Sequence, residues 1–72
     1  MKSRGGNVVR IKELRKEQKI TQLKMALDLN MSQNTISRYE NGEREPGIAE
    51  LIRIADYFHV TIDYLVGRSD TR

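Results

Sequence analysis

Residues 21–42 read TQLKMALDLNMSQNTISRYENG, and the fold turns on how this stretch divides. Thr21 and Ser32 each stand just before apolar residues at helical spacing. A helix start leaves N–H groups unpaired, and a hydroxyl at that position accepts one of them. After Thr21 the inward positions are Met25, Ala26 and Leu29, and Asn30 follows them. Asparagine is the usual substitute for glycine in the left-handed residue that ends many helices. After Ser32 a polar run, Gln33–Asn34–Thr35, is broken by one branched apolar residue, Ile36. This third helix is expected to run to about Asn41, with Gly42 at its C-terminal cap. Asn41–Gly42 is also a favoured hairpin dipeptide, but neither SRYE nor EREP alternates apolar and polar residues. A helix end is therefore expected there, and not two strands.

The same punctuation extends in both directions. Toward the N-terminus, Asn7 is a suitable N-cap, and Val8, Ile11 and Leu14 recur at helical spacing in a segment reaching Lys19. Toward the C-terminus, EREPG at 43–47 is a loop in which Pro46 stops the chain and Gly47 caps the next helix. Ile48, Leu51, Ile52, Ile54, Ala55 and Phe58 make a strongly apolar fourth helix, expected to be the central one, and His59 ends it in a turn. Thr61 caps a last short helix holding Ile62, Leu65 and Val66, which Gly67 closes. The expected class is all-α, a compact set of five helices with short connections, no strand and no repeat. Residues 1–6 read as a flexible basic arm containing Lys2 and Arg4, residues 7–67 as the domain, and residues 68–72 as a short tail.

Composition narrows the chemistry. With 72 residues the chain makes one domain. A domain this small buries only about 60% of its unfolded surface, so close helix packing must supply its core. There is no cysteine, which excludes disulfides and thiolate metal sites, and the one histidine, His59, cannot build a metal site without several carboxylates converging on it. No glycine-rich phosphate loop and no carboxylate cluster with metal spacing is present, so neither an enzyme nor a cofactor is expected. No apolar run exceeds three residues, too short for a membrane span or a secretory segment. The expected location is therefore the cytoplasm. Net charge is +3, but residues 1–24 carry eight basic and two acidic side chains, whereas residues 25–72 carry five and eight. A basic N-terminal third suits a polyanionic partner or, more plainly, a solvated helix face.

The second and third helices are joined by a turn of about four residues, which fits either a plain helical hairpin or a helix-turn-helix. Three positions discriminate, counted from Gln22 as the first of a twenty-residue unit ending at Asn41. The fifth must be small, because the helices cross there nearly in contact, and it is Ala26. The ninth must tolerate a left-handed turn, and it is Asn30; the fifteenth must plug the angle between helices, and it is Ile36. Leu29, Met31 and Tyr39 supply supporting apolar positions.

With these residues in place the stretch resembles the Cro/repressor-type helix-turn-helix family, the xenobiotic-response-element type, whose domains are lambda-repressor-like. Gln22, the Met25–Ala26 pair, Ile36 and the Tyr39–Glu40–Asn41–Gly42 turn match that family's pattern. Pro46, Leu51, Ile54–Ala55, Phe58, Val60 and Leu65 are similar to its fourth and fifth helices. The resemblance spans residues 8–67. Asn30 and His59 replace the usual glycines, Gly47 the frequent serine, and Leu23 and Leu27 stand where polar residues are usual.

The resemblance implies a sequence-specific regulator of transcription that binds double-stranded DNA, a repressor of phage or bacterial type. Its third helix is expected in the major groove. Gln33, Asn34, Ser37 and Arg38 would then read bases. Gln and Asn pair two-pronged with adenine N6 and N7, and Arg with guanine O6 and N7. Gln22, Thr35, Asn41, Arg44 and Arg15 are expected at phosphates. Ala26, Asn30, Ile36, Arg15 and Glu40 are expected to hold the reading helix, with Arg15 and Glu40 paired. A homodimer on a palindromic operator, associated with the nucleoid, is implied as well. The competing reading is an antitoxin or protein-binding adaptor of the same fold. Leu23 and Leu27 share one helix face beside Lys24 and would form its partner surface.

Overall fold

The computed structural model describes residues 9–72. Five helices follow one another: α1 (Ile11–Glu17), α2 (Gln22–Leu29), α3 (Gln33–Asn41), α4 (Ile48–Phe58) and α5 (Ile62–Leu65). No strand occurs among the described residues. Three helices start on a hydroxyl. Thr21 Oγ1 accepts the Lys24 N–H at 3.0 Å, Ser32 Oγ the Thr35 N–H at 3.1 Å, and Thr61 Oγ1 the Tyr64 N–H at 3.0 Å. Three helices end on a left-handed residue: Asn30 (φ 57°), Gly42 (φ 75°) and His59 (φ 60°). Each reversal lets the next N–H reach back to a terminal carbonyl, Met31 to Ala26 at 2.9 Å, Glu43 to Arg38 at 2.9 Å and Val60 to Ala55 at 3.0 Å.

The first helix departs from the sequence expectation at both ends. Asn7, Val8 and the arm with Lys2 and Arg4 lie outside the described residues. Residues 9 and 10 are not helical, and Arg10 occupies the N-cap position with no side-chain cap. The Arg10 N–H donates to the Leu65 carbonyl at 2.7 Å, so the start of α1 is set by α5. The helix also stops at Glu17, short of Lys19. Lys19 takes a left-handed φ of 60°, which lets the Ile20 N–H reach the Arg15 carbonyl at 2.9 Å.

Ile11, Leu14, Met25, Ala26, Leu29, Ile36, Tyr39, Ile54, Ala55, Phe58, Tyr64 and Leu65 form one buried core, and Val9 and Met31 pack against it half-buried. The fourth helix is less uniformly central than its composition suggests. Ile48 is 72% exposed and Ile52 is also exposed. At about 100° per residue, Leu51, Ile54, Ala55 and Phe58 fill one third of the helix circumference, and Ile52 falls beyond the edge of that arc. In α5 the inward pair is Tyr64 and Leu65, while Ile62 lies at the surface.

Two sets of long side chains tie helices together. From α4, Arg53 Nη2 donates to the Leu29 carbonyl at the end of α2, and the Tyr57 hydroxyl donates to Asp28 Oδ2 at 2.6 Å. Asp28 also pairs with Lys24 at 2.9 Å. At the other side, residues 68–72 fold back on α1. Asp70 pairs with Arg10 and Glu17 with Arg72, both at 2.9 Å. The Arg10 and Arg72 guanidinium carbons lie 4.2 and 5.0 Å from the Tyr64 ring centroid, within cation–π range.

Two outcomes follow from this packing. Burial, followed by the Asp28 hydrogen bond, pushes the Tyr57 phenol from 10.0 up to about 12. The folded state thus favours the neutral phenol. That contribution to stability is complete below pH 10.0 and is lost as pH rises through about 12. A phenolate-absorbance titration should show a late-ionising component that is absent in Tyr57→Phe. Gly47 caps α4 at φ −73° and ψ 177°, a conformation open to any residue. A Cβ there would meet only Glu50 Oε1, at 2.9 Å, the end of a side chain that can swing away. Gly47→Ser should stabilise the domain by about 0.5–1 kcal/mol, raising the melting temperature by a few degrees in a thermal melt.

Candidate nucleic-acid interface

The two faces of α3 are chemically distinct. Ile36, Tyr39 and Glu40 are buried. Gln33, Asn34, Ser37, Arg38 and Asn41 fall within an outward arc of about 140° at 3.6 residues per turn. Of these, Gln33, Asn34, Arg38 and Asn41 are exposed and Ser37 is half-buried. Asn41 Nδ2 lies 3.5 Å from Ser37 Oγ, at the long limit of a hydrogen bond. Thr35 sits off this arc, half-buried, with its Oγ1 2.8 Å from Ser32 Oγ. Arg44 is exposed in the loop that follows. The structure thus brings four of the residues expected to read bases or hold phosphate onto one open surface, with Ser37 between them. Thr35 stands at its margin.

Beneath the far end of this helix lies a buried charge network. Arg15 Nε and Nη2 donate to the two oxygens of Glu40, at 2.7 and 3.1 Å. The Arg15 side chain is 12% exposed and that of Glu40 2%. A two-pronged pair of this kind fixes orientation as well as distance. Arg15 Nη1 donates to the Ile20 carbonyl at 2.9 Å, and Gln22 Nε2 to Glu40 Oε1 at 3.0 Å. The Glu40 carboxylate holds the guanidinium above its ordinary pKa, outweighing the effect of burial. One carboxylate therefore joins α1, the start of α2 and the end of α3.

This geometry bears on two expected roles. Arg15 is expected at phosphate as well as in support. Three of its five N–H donors go to protein acceptors and its side chain is 12% exposed, which leaves two N–H groups for a phosphate. Gln22 keeps a second amide hydrogen for phosphate, but its side chain is tied to Glu40. That contact was missed in the sequence. The signal was available: a carboxylate can accept about four hydrogen bonds, and a two-pronged guanidinium fills only two of them. Of the residues expected to support the turn, Ala26 is buried, 2% exposed, and Asn30 is left-handed. Leu23 and Leu27 are exposed, Leu27 at 72%. Among the described residues no group of three or more His, Cys, Asp or Glu is placed to hold a metal ion, and no helix is long and apolar enough to cross a membrane.

The chain is similar to known proteins over most of its length. The helix-turn-helix family profile matches residues 11–65. The chain is 34% identical over 61 residues to the HTH-type transcriptional regulator ImmR of Bacillus subtilis, covering 85% of this chain and 48% of that protein. It is 37% identical over 59 residues to the cryptic phage CTXphi transcriptional repressor RstR of Vibrio cholerae, covering 82% and 53%. A crystal structure of a transcriptional regulator from Listeria innocua superposes with a TM-score of 0.75 at 41% identity, covering 81% of this chain and 54% of that one. The chain spans about half the length of the curated relatives it matches.

Removing one partner of a buried ion pair strands the other charge, at a cost of about 3–5 kcal/mol. Arg15→Ala and Glu40→Ala should each lose about that much in urea denaturation, a large share of the stability of a small domain. The apolar double replacement Arg15→Met with Glu40→Leu should lose less than either single change. A double variant that loses the sum of the two would show that the charges do not act as a pair.

Proposed function

The chain belongs to the helix-turn-helix family, and we propose that it is a sequence-specific, double-stranded DNA-binding regulator of transcription, acting as a repressor. The observation that carries this reading is the outward face of α3. Gln33, Asn34 and Arg38 stand exposed on a helix whose inner side is anchored by Ile36 and by the Arg15–Glu40 pair. In the major groove, Gln33 and Asn34 offer donor–acceptor pairs that match adenine, Arg38 matches guanine, and Ser37 can take either role. Gln22, Thr35, Asn41 and Arg44 surround this face and set its register through phosphates, with Arg15 behind them. A homodimer on a palindromic operator would place two such faces about one helical turn apart. RstR, a relative named as a phage repressor, supports the repressing role. The chain would act in the cytoplasm, at the nucleoid.

A second reading is favoured by one observation. Leu23 and Leu27 remain exposed side by side on α2. An antitoxin or adaptor would use them to hold a protein partner.

Binding should weaken steeply with salt, because each neutralised phosphate releases counterions. On a duplex recovered by selection from random DNA, Gln33→Ala and Arg38→Ala should each lose about 1–3 kcal/mol, or roughly 5- to 150-fold in Kd. The loss on unselected duplex should be much smaller. Equal losses on both duplexes would remove base reading from that residue. Failure of the parent to bind any duplex at low salt would favour the protein-partner reading.

A further inference from the structure

Most cations of the described chain are already spoken for. Arg10 is held by Asp70, Arg15 by Glu40, Lys24 by Asp28 and Arg72 by Glu17. Arg53 donates to the Leu29 carbonyl. Arg38 and Arg44 lie on or beside the reading face. Besides Arg38, Arg44, Arg53 and Arg68, the cations in no salt bridge among the described residues are Lys12, Lys16 and Lys19, all exposed.

These three lie along α1 and the turn that follows it. Lys12 and Lys16 are four apart on one face of α1, where like charges repel. Lys19 occupies a left-handed φ of 60°, a conformation that glycine takes freely and a lysine seldom does. That conformation turns the chain so that the Ile20 N–H reaches the Arg15 carbonyl, and it leaves the Lys19 side chain exposed at the surface. The position of the three lysines suggests a use. Lys16 follows Arg15 and Lys19 precedes Ile20, the two residues joined by the Arg15 Nη1 hydrogen bond. That junction meets Glu40 at the far end of α3 and Gln22 at the start of α2.

We propose that Lys12, Lys16 and Lys19 form a second, sequence-independent contact with duplex DNA, binding the phosphodiester backbone that flanks the site read by α3. The inference rests on the DNA-binding reading above. The strip adds affinity and no discrimination, because an ammonium group is a point charge that any phosphate satisfies. It also gives a role to the basic N-terminal third, whose excess charge the base-reading residues leave unused.

The test is the salt dependence of binding, measured for the full chain on a selected and on an unselected duplex of equal length. Each lost phosphate contact reduces the slope of log affinity against log salt by about 0.9. The triple change to glutamine at Lys12, Lys16 and Lys19 should therefore flatten the slope by about two to three, with the ratio of the two affinities unchanged. Lys19→Gly separates side chain from fold: it should flatten the slope by about one and melt no lower than the parent. Arg68→Gln removes a charge elsewhere and should leave the slope as it was. An unchanged slope in the triple variant, a loss confined to the selected duplex, or an equal effect from Arg68→Gln would each overturn the proposal. A parent that shows no salt-dependent binding to either duplex would instead overturn the DNA reading, and this inference with it.

Discussion

The hydrogen-bonded pair of Arg15 and Glu40 is the constraint on which the rest depends. A nine-residue helix is too short to persist alone in water. Much of α3 is polar, and its inner face offers only Ile36 and Tyr39 as apolar anchors. Ile36 docks the first half. Glu40, buried beside Arg15, fixes the second half at an angle that apolar contact alone would leave loose. Charge burial is an expensive way to hold a helix, and a hydrophobic pair could hold it as tightly. What the ionic pair adds is direction: two parallel hydrogen bonds to one carboxylate, plus a third from Gln22, define rotation about the helix axis. An outward arc that must meet base edges needs that definition.

The connections serve the same end. Three hydroxyl caps and four left-handed residues divide 64 described residues into five helices with connections of a few residues each. Short connections leave little slack, so a helix fixed at one end is fixed along its length. The clamp from Arg53 and Tyr57 onto the end of α2, and the return of residues 68–72 across Tyr64 onto α1, close the framework at opposite sides.

Legibility in the sequence followed locality. The bounds of α2 and α3 could be read because Thr21, Asn30, Ser32 and Gly42 act on their immediate neighbours. The same held for His59 and Thr61. The start of α1 could not, since a carbonyl fifty-five residues away, that of Leu65, receives the Arg10 N–H. The exposure of Ile48 and Ile52 escaped composition because an apolar helix does not declare how wide an arc its neighbours cover. Around the candidate site, the pairing of Arg15 with Glu40 was implied by the family resemblance, while the third arm to Gln22 and the left-handed Lys19 were not. The left-handed Lys19 depends on where α1 ends, at Glu17, and the Gln22 contact on how α2 and α3 pack.

The most direct measurement is a backbone amide titration by NMR, adding short duplex DNA to the labelled domain. The strongest shifts are expected along the outward arc of α3, at Gln33, Asn34, Ser37, Arg38 and Asn41, with a second group at the start of α2 beside Gln22. Ile48 and Ile52 on α4 should not move. Shifts centred on Leu23 and Leu27 or on α4, with α3 silent, would contradict the claim that this helix is the reading surface.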